Sequence, residues 1–219
     1  MTHGDGADGA DGANGADDAD DVEAALRAGL ALYADGAFHA AHEPWEAVWL
    51  DSDGDTERLL HGLIQLTAAL YHTTEGNWAG ARGLAESAPT YLAGLEHPYG
   101  VDLGAARSFC RRLASDPVVV ERTGPPPLPR DGAPVAYADL SPAALDRAVA
   151  AVAADTEWDT ETLRDAATFA DADGTTLRPL LVDFLARPDD RAIVFQRLSE
   201  HVGRRRTEVA DVRGLFDEE

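Results

Sequence analysis

The sequence has no lysine, a single cysteine and no long apolar run, and each absence excludes a class of protein. The lone thiol, Cys110, excludes an intramolecular disulfide and a multi-cysteine zinc site, and its apolar neighbours predict a small buried side chain. Without a run of about 18 apolar residues, no membrane span is expected. The N-terminus is acidic, which is unlike a secretory signal. Together these features predict a soluble cytoplasmic protein.

The missing lysines give the chain an unusual charge balance. All 18 basic residues are arginine, and the chain has 40 acidic residues, so the formal net charge is −22. A carboxylate-rich surface of this kind is typical of halophilic proteins from a salty cytoplasm, where it maintains hydration once salt has screened long-range charge. Nucleic acids and anionic membranes are polyanions, so neither is an expected partner. A homo-oligomer or a protein partner is compatible with the composition.

Neither a strand pattern nor a glycine-rich phosphate loop occurs, and the apolar spacing is helical throughout. We therefore expect an all-α protein, a multi-helix bundle around a buried central helix with a C-terminal helical extension. Residues 1–19 read as a disordered acidic tail, and residues 20–116 as a five-helix bundle around the helix at about 56–74. Residues 117–140 are a proline-rich linker or strap, and residues 141–219 form the extension.

Several local signals mark where these helices begin and end. Ser141 followed by Pro142 predicts a helix start, and the last helix is expected at about 189–204. The arginines at its end, Arg204 to Arg206, would complement the negative end of the helix dipole. Pro44 is awkward inside a helix, so the second helix either begins near Ala40 or kinks.

The richest stretch of the chain is residues 38–49, which holds three aromatic residues, two histidines and two glutamates. On a helix, His42 and Glu46 share a face at i, i+4, and Trp45 and Trp49 lie beside them. A polar pair inside an aromatic stripe would normally be buried. The two tryptophans are more readily explained as core residues than as ligand platforms.

A second polar set, His61, Gln65 and His72, falls on one side of the central helix. If the two helices form an antiparallel hairpin that turns near residues 52–53, His42 and Glu46 face His61 and Gln65. His72 lies about 16 Å from His61 along the helix, so the two histidines cannot hold one ion. His72 is therefore expected outside the cluster or in contact with it through water.

Three interpretations of this cluster stay open. It is a satisfied hydrogen-bond network that fixes the helix register, a pocket for a small ligand or for catalysis, or a metal site. A metal site would use His42, Glu46 and His61 and would suit zinc, iron or manganese. In a hydrolytic version, the metal activates water, and Glu43 or Glu46 is the general base.

Three blocks of residues within about 25–95 resemble a known family. They comprise Ala41, His42, Glu43, Trp45, Glu46 and Trp49; then Gly62, Leu63, Ile64, Gln65, Leu66, Ala68, Ala69, Leu70 and His72; then Gly76, Asn77, Gly80 and Ala81. This pattern resembles the DUF309 family, which implies a small all-helical fold without an established function. Some members are labelled predicted metal-dependent hydrolases. The C-terminal part resembles extensions of haloarchaeal members.

Two hypotheses for the function follow. In the first, the protein is a non-catalytic helical module whose seam of His42, Glu46, His61, Gln65 and His72 is structural or binds a small ligand or partner. In the second, it is a metal-dependent hydrolase centred on His42 and Glu46.

Overall fold

The computed structural model describes residues 11–173 and 176–214, with side chains for residues 17–171 and 176–212. Within these ranges the chain forms ten α-helices, three short 3₁₀ turns and no β-strand, which confirms the all-α prediction. The helices are α1 Asp11–Ala34, α2 Phe38–Trp49, α3 Gly54–Thr74, α4 Trp78–Tyr91, α5 Gly104–Ser115, α6 Val119–Thr123, α7 Pro142–Ala154, α8 Thr160–Asp173, α9 Leu177–Ala186 and α10 Arg191–Gly214. None of these helices is both long and apolar enough to cross a membrane.

Two helices extend further than the sequence suggested. Helix α1 begins at Asp11, so residues 11–19 are helical rather than a disordered tail, while residues 1–10 lie outside the described residues. Helix α10 continues to Gly214, so Arg204 lies within the helix rather than at its end.

Both internal prolines are accommodated without ending a helix. Helix α2 runs unbroken from Phe38, with Pro44 buried in its middle, and α4 likewise contains Pro89. A proline at position 44 cannot donate to the carbonyl of Ala40, so α2 lacks that hydrogen bond. Packing on both sides of α2 therefore stabilises the helix more than its own backbone hydrogen bonds do.

The first five helices pack in chain order, with α3 between α2 and α4, α1 on α2, and α5 on α4. Helix α3 buries residues on nearly all sides, as predicted for the central helix. Its buried residues are Leu59, Leu60, Gly62, Leu63, Ile64, Leu66, Thr67, Ala69, Leu70 and Thr73. Apart from the buried Thr67 and Thr73, the polar residues of α3 beyond its first turn, among them His61, Gln65 and His72, lie on the remaining partly exposed strip.

Of the two alternatives for residues 117–140, the structure shows a strap across the first helices. The Tyr33 hydroxyl of α1 donates to the carbonyl of Pro126 at 2.7 Å, and Leu128 is buried. Arg130 forms an ion pair with Glu23 of α1 at 2.5 Å. These contacts hold the extended segment against the bundle.

The C-terminal helices pack directly on the first part of the chain. Helix α7 lies against α1 and α2, and α8, α9 and α10 pack on one another beyond it. The start of α7 is as predicted: the Ser141 hydroxyl accepts from the Ala144 amide at 3.2 Å, and Pro142 occupies the first turn. One apolar core therefore runs through both parts.

Candidate functional site

The hairpin of α2 and α3 and the neighbouring α4 present one continuous polar and aromatic surface, which we call the histidine face. It comprises His39, His42, Glu43, Glu46 and Trp49 of α2, His61, Gln65, Tyr71 and His72 of α3, and Ser87 and Tyr91 of α4. Every one of these residues is at least partly exposed. After α2, the chain turns and α3 runs back along it, antiparallel to α2. Gly54 begins α3, and its φ of 56° is a conformation that favours glycine.

At the turn end of the histidine face, His61 lies between two aromatic rings. Its ring stacks on Tyr91 with centroids 3.8 Å apart, and Trp49 lies 4.5 Å away on another side. Gln65 lies within 3.3 Å of His61 and accepts from the Ser87 hydroxyl at 2.8 Å. This end is a hydrogen-bonded and stacked network that joins all three helices.

The protonation state of His61 follows from these contacts. Burial lowers the pKa of His61, and the nearby Glu57 carboxylate only partly opposes this effect. The amide nitrogen of Gln65 can only donate, so the Nε2 atom of His61 accepts its hydrogen bond. With this amide orientation, both effects favour the neutral imidazole of His61 over the imidazolium.

The far end of the histidine face is built around His39. The Nδ1 atom of His39 lies 2.8 Å from the carboxylate of Asp155, which caps the C-terminus of α7. The His39 ring contacts His42 and Tyr71, with centroids 5.1 and 4.6 Å away. His72, next to Tyr71, lies 3.1 Å from the side-chain amide of Asn77. This end connects the histidine face to the C-terminal helices.

Between the two ends, His42, Glu43 and Glu46 form a group. One ligand atom from each lies within 4.8 Å of the others, and within the described part of the chain this is the one such group of three His, Cys, Asp or Glu residues. The Nε2 atom of His42 lies 3.7 Å from the Glu43 carboxylate, and their side chains are 16% and 46% exposed. Both glutamates face solvent.

This arrangement differs from the predicted cluster in two ways. Glu43 takes the place that the sequence suggested for His61, because His61 lies level with Trp49 and turns towards α4. Glu46 is exposed rather than buried, since it lies at the edge of the α2 face and not beneath it. The predicted set of His42, Glu46 and His61 therefore falls into two separate groups.

The two tryptophans of α2 have different roles. Trp45 is fully buried, and its indole nitrogen lies 3.4 Å from the carbonyl of Leu26 in α1, so it is a core residue. Trp49 is half-buried at the turn end of the histidine face. The Nε1 atom of Trp49 and the Nδ1 atom of His42 are buried without a hydrogen-bond partner among the described residues.

Five residues with contacts in this site were not predicted as site residues from the sequence: His39, Tyr71, Ser87, Tyr91 and Asp155. His39 precedes His42 by three positions and Tyr71 precedes His72, so helical spacing could have identified both. Ser87 and Tyr91 share a face of α4 at i, i+4, which is a weaker signal. Asp155 joins the site only through the packing of α7, which local sequence does not reveal.

Cys110 plays no part in this site. It is fully buried in α5, and this burial raises the pKa of its thiol to about 12. A thiol that stays protonated in an apolar environment is a poor nucleophile and a poor metal ligand.

One family model matches the segment of the chain that carries most of the histidine face. Residues 26–84 match DUF309, which is described as a domain of unknown function. The matched segment covers α2, α3 and parts of α1 and α4, and it includes His42, Glu46 and Gln65. No match was found among curated proteins. The match supports the resemblance to this family, and the family's description does not indicate an activity.

Proposed function

We propose that this protein, whose residues 26–84 match DUF309, is a non-catalytic helical module that binds a small planar, cationic ligand on its histidine face. The observation that carries the proposal is the combination on this face of partly exposed aromatic rings with two exposed carboxylates. Aromatic faces attract cations and planar groups, and carboxylates accept hydrogen bonds from them.

The turn end of the histidine face supplies a rigid platform for such a ligand. His61 is fixed between Trp49 and Tyr91, and Gln65 is fixed by Ser87. Side chains that already hold one another lose little conformational entropy on binding. The platform is therefore preorganised before a ligand arrives.

The middle of the face supplies charge without forming a catalytic chamber. Glu43 and Glu46 are exposed to water, whereas most catalytic carboxylates work in a site from which water is excluded. Metal-binding histidines usually donate their second nitrogen to a protein group, and the buried Nδ1 of His42 has no such partner among the described residues. These features favour binding over catalysis.

A matched pair of probes tests this proposal. Benzamidine and benzoate have the same size and opposite charge, so calorimetric titration of the full chain should show binding of benzamidine alone. Glu46→Gln should weaken benzamidine about two- to fivefold, as expected for an exposed charge contact. Glu86→Gln on α4 is the control, because Glu86 is also exposed but lies outside the histidine face. Equal effects of both substitutions would contradict the proposal.

One observation favours a second candidate, a metal-dependent hydrolase. His42, Glu43 and Glu46 supply one nitrogen and two oxygen ligands, a set that suits zinc, iron or manganese and leaves coordination positions open. Zinc titration of the wild type, of His42→Ala and of a His97→Ala control separates the candidates. If zinc binds tightly at one ion per chain, and this binding is lost only in His42→Ala, the first condition for the hydrolase is met. Zinc-dependent hydrolysis of p-nitrophenyl esters would then favour the hydrolase over the non-catalytic module.

We also infer that this module works in a salty cytoplasm. The supporting facts are its net charge of −22 and the absence of lysine. Molar potassium chloride should raise the unfolding temperature, because salt screens the mutual repulsion of the carboxylates. A lower unfolding temperature in molar salt than in dilute buffer would refute this inference.

A further inference from the structure

The cavity among α8, α9 and α10 stands apart from the histidine face. It has a volume of about 110 Å³ and is lined on one side by Phe169, Ala170 and Leu177. The other side is formed by α10, through His201, Arg204, Arg205 and Glu208. These four residues lie at i, i+3, i+4 and i+7, so a single face of α10 supplies the polar wall.

The arginines of this wall are not explained by the helix dipole. The dipole acts only within the last turn of a helix, and α10 continues to Gly214, well past Arg204. Arg206, on another face, forms ion pairs with Asp165 and Glu161 of α8. A role in holding α8 and α10 together accounts for Arg206 but not for Arg204.

Arg204 is the distinctive group in the cavity. Its described contact is with the Nδ1 atom of His201 at 2.9 Å, and no carboxylate of the described residues pairs with it. Arg205, by contrast, pairs with Glu208 at 2.8 Å.

Two further groups lie beside the same space. A guanidinium can only donate, so the Nδ1 atom of His201 accepts from Arg204, which leaves its Nε2–H as a donor. Helix α9 begins beside the cavity, and no side-chain hydrogen bond from Thr176 caps it. The opening turn of α9 therefore adds partial positive charge to that of Arg204.

We propose that this cavity binds a small phosphate-like oxyanion, held by Arg204 and His201 beside the first turn of α9. The planar fork of a guanidinium matches such an oxyanion, and the volume equals that of about four liquid water molecules. A polyanion is repelled by the net charge of −22, whereas a small anion can reach the cavity.

Inorganic phosphate titrated into the full chain, with chloride adjusted to constant ionic strength, tests the proposal. We expect saturable binding in the wild type, loss of at least tenfold in affinity in Arg204→Gln, and an intermediate affinity in Arg204→Lys. The control is Arg197→Gln, which removes the same charge from an exposed position about 10 Å earlier on α10, outside the cavity. The His201 imidazole signal should shift with phosphate in the wild type and in Arg197→Gln, but not in Arg204→Gln.

Two results would overturn the proposal. One is the absence of saturable phosphate binding to the wild type. The other is an equal loss of affinity in Arg204→Gln and Arg197→Gln, which would show a general charge effect rather than a site. Helical circular dichroism of each variant confirms that it is folded before the titration.

Discussion

Gly29→Ala in α1 is expected to destabilise the protein even though alanine is the better helix former. A Cβ atom built on Gly29 would lie 2.3 Å from both Cε2 and Nε1 of Trp45 and 2.7 Å from the carbonyl oxygen of Ala41. Neither neighbour can yield easily, since one is a fully buried indole and the other is backbone. Two effects of opposite sign therefore compete at this position.

Their magnitudes decide the outcome. The gain in helix propensity from glycine to alanine is about 1 kcal/mol. Forcing a methyl group into a packed core costs about 1–3 kcal/mol, and contacts this short favour the upper end of that range. The net loss in the free energy of unfolding should be about 2 kcal/mol, which lowers Tm by roughly 4–8 °C for a chain of this size.

The matched control is Gly83→Ala in α4. A Cβ atom on Gly83 would meet no atom within 4 Å, so only the propensity gain remains, and the variant should be more stable by up to about 1 kcal/mol. Urea unfolding followed by circular dichroism at 222 nm measures both variants. If Gly29→Ala proved as stable as Gly83→Ala, the tight packing of Trp45 beneath α1 would be wrong.

Three further predictions concern other contacts of the fold. Ser87→Ala removes the hydrogen bond to Gln65 and should cost about 1 kcal/mol in urea unfolding, and an unchanged stability would argue against the network. Ser141→Ala removes the N-cap of α7 and should cost a similar amount, again about 1 kcal/mol; no loss would refute the cap. Burial raises the pKa of Cys110 to about 12, above that of the unfolded thiol, so its contribution to stability is complete below about pH 9 and lost as the pH rises towards 12. At pH 10 the wild type should therefore lose about 1.5–2 kcal/mol of stability relative to Cys110→Ala, compared with their difference at pH 7, and a constant difference would contradict the burial.

The helices could be predicted largely from the sequence, because their apolar spacing and turn residues are local signals. Ser141 with Pro142 marked the start of α7 correctly. Pro44 did not break α2, because packing between α1 and α3 stabilises a helix that its own hydrogen bonds would leave weak. The predicted bounds were too short at residues 11–19 and beyond Arg204, where α1 and α10 extend further than expected.

The helical spacing predicted which residues of α2 and α3 lie on the facing sides of the hairpin, but not the contacts between them. His42, Glu46, His61 and Gln65 do lie on the faces of α2 and α3 that the helical spacing assigned to them. Whether His61 turns towards α2 or α4 depends on the rings of Trp49 and Tyr91. Tyr91 belongs to α4, and the prediction of a hairpin considered only α2 and α3. The link from His39 to Asp155 depends on the docking of a distant helix.

Proton NMR of the imidazole and indole groups during a benzamidine titration shows whether the histidine face binds a planar cation. We expect saturable shifts confined to that face, at Trp49, His42 and His61, with no change at His97 or His201. Shifts of equal size at all histidines, or an unchanged face at saturating benzamidine, would contradict it.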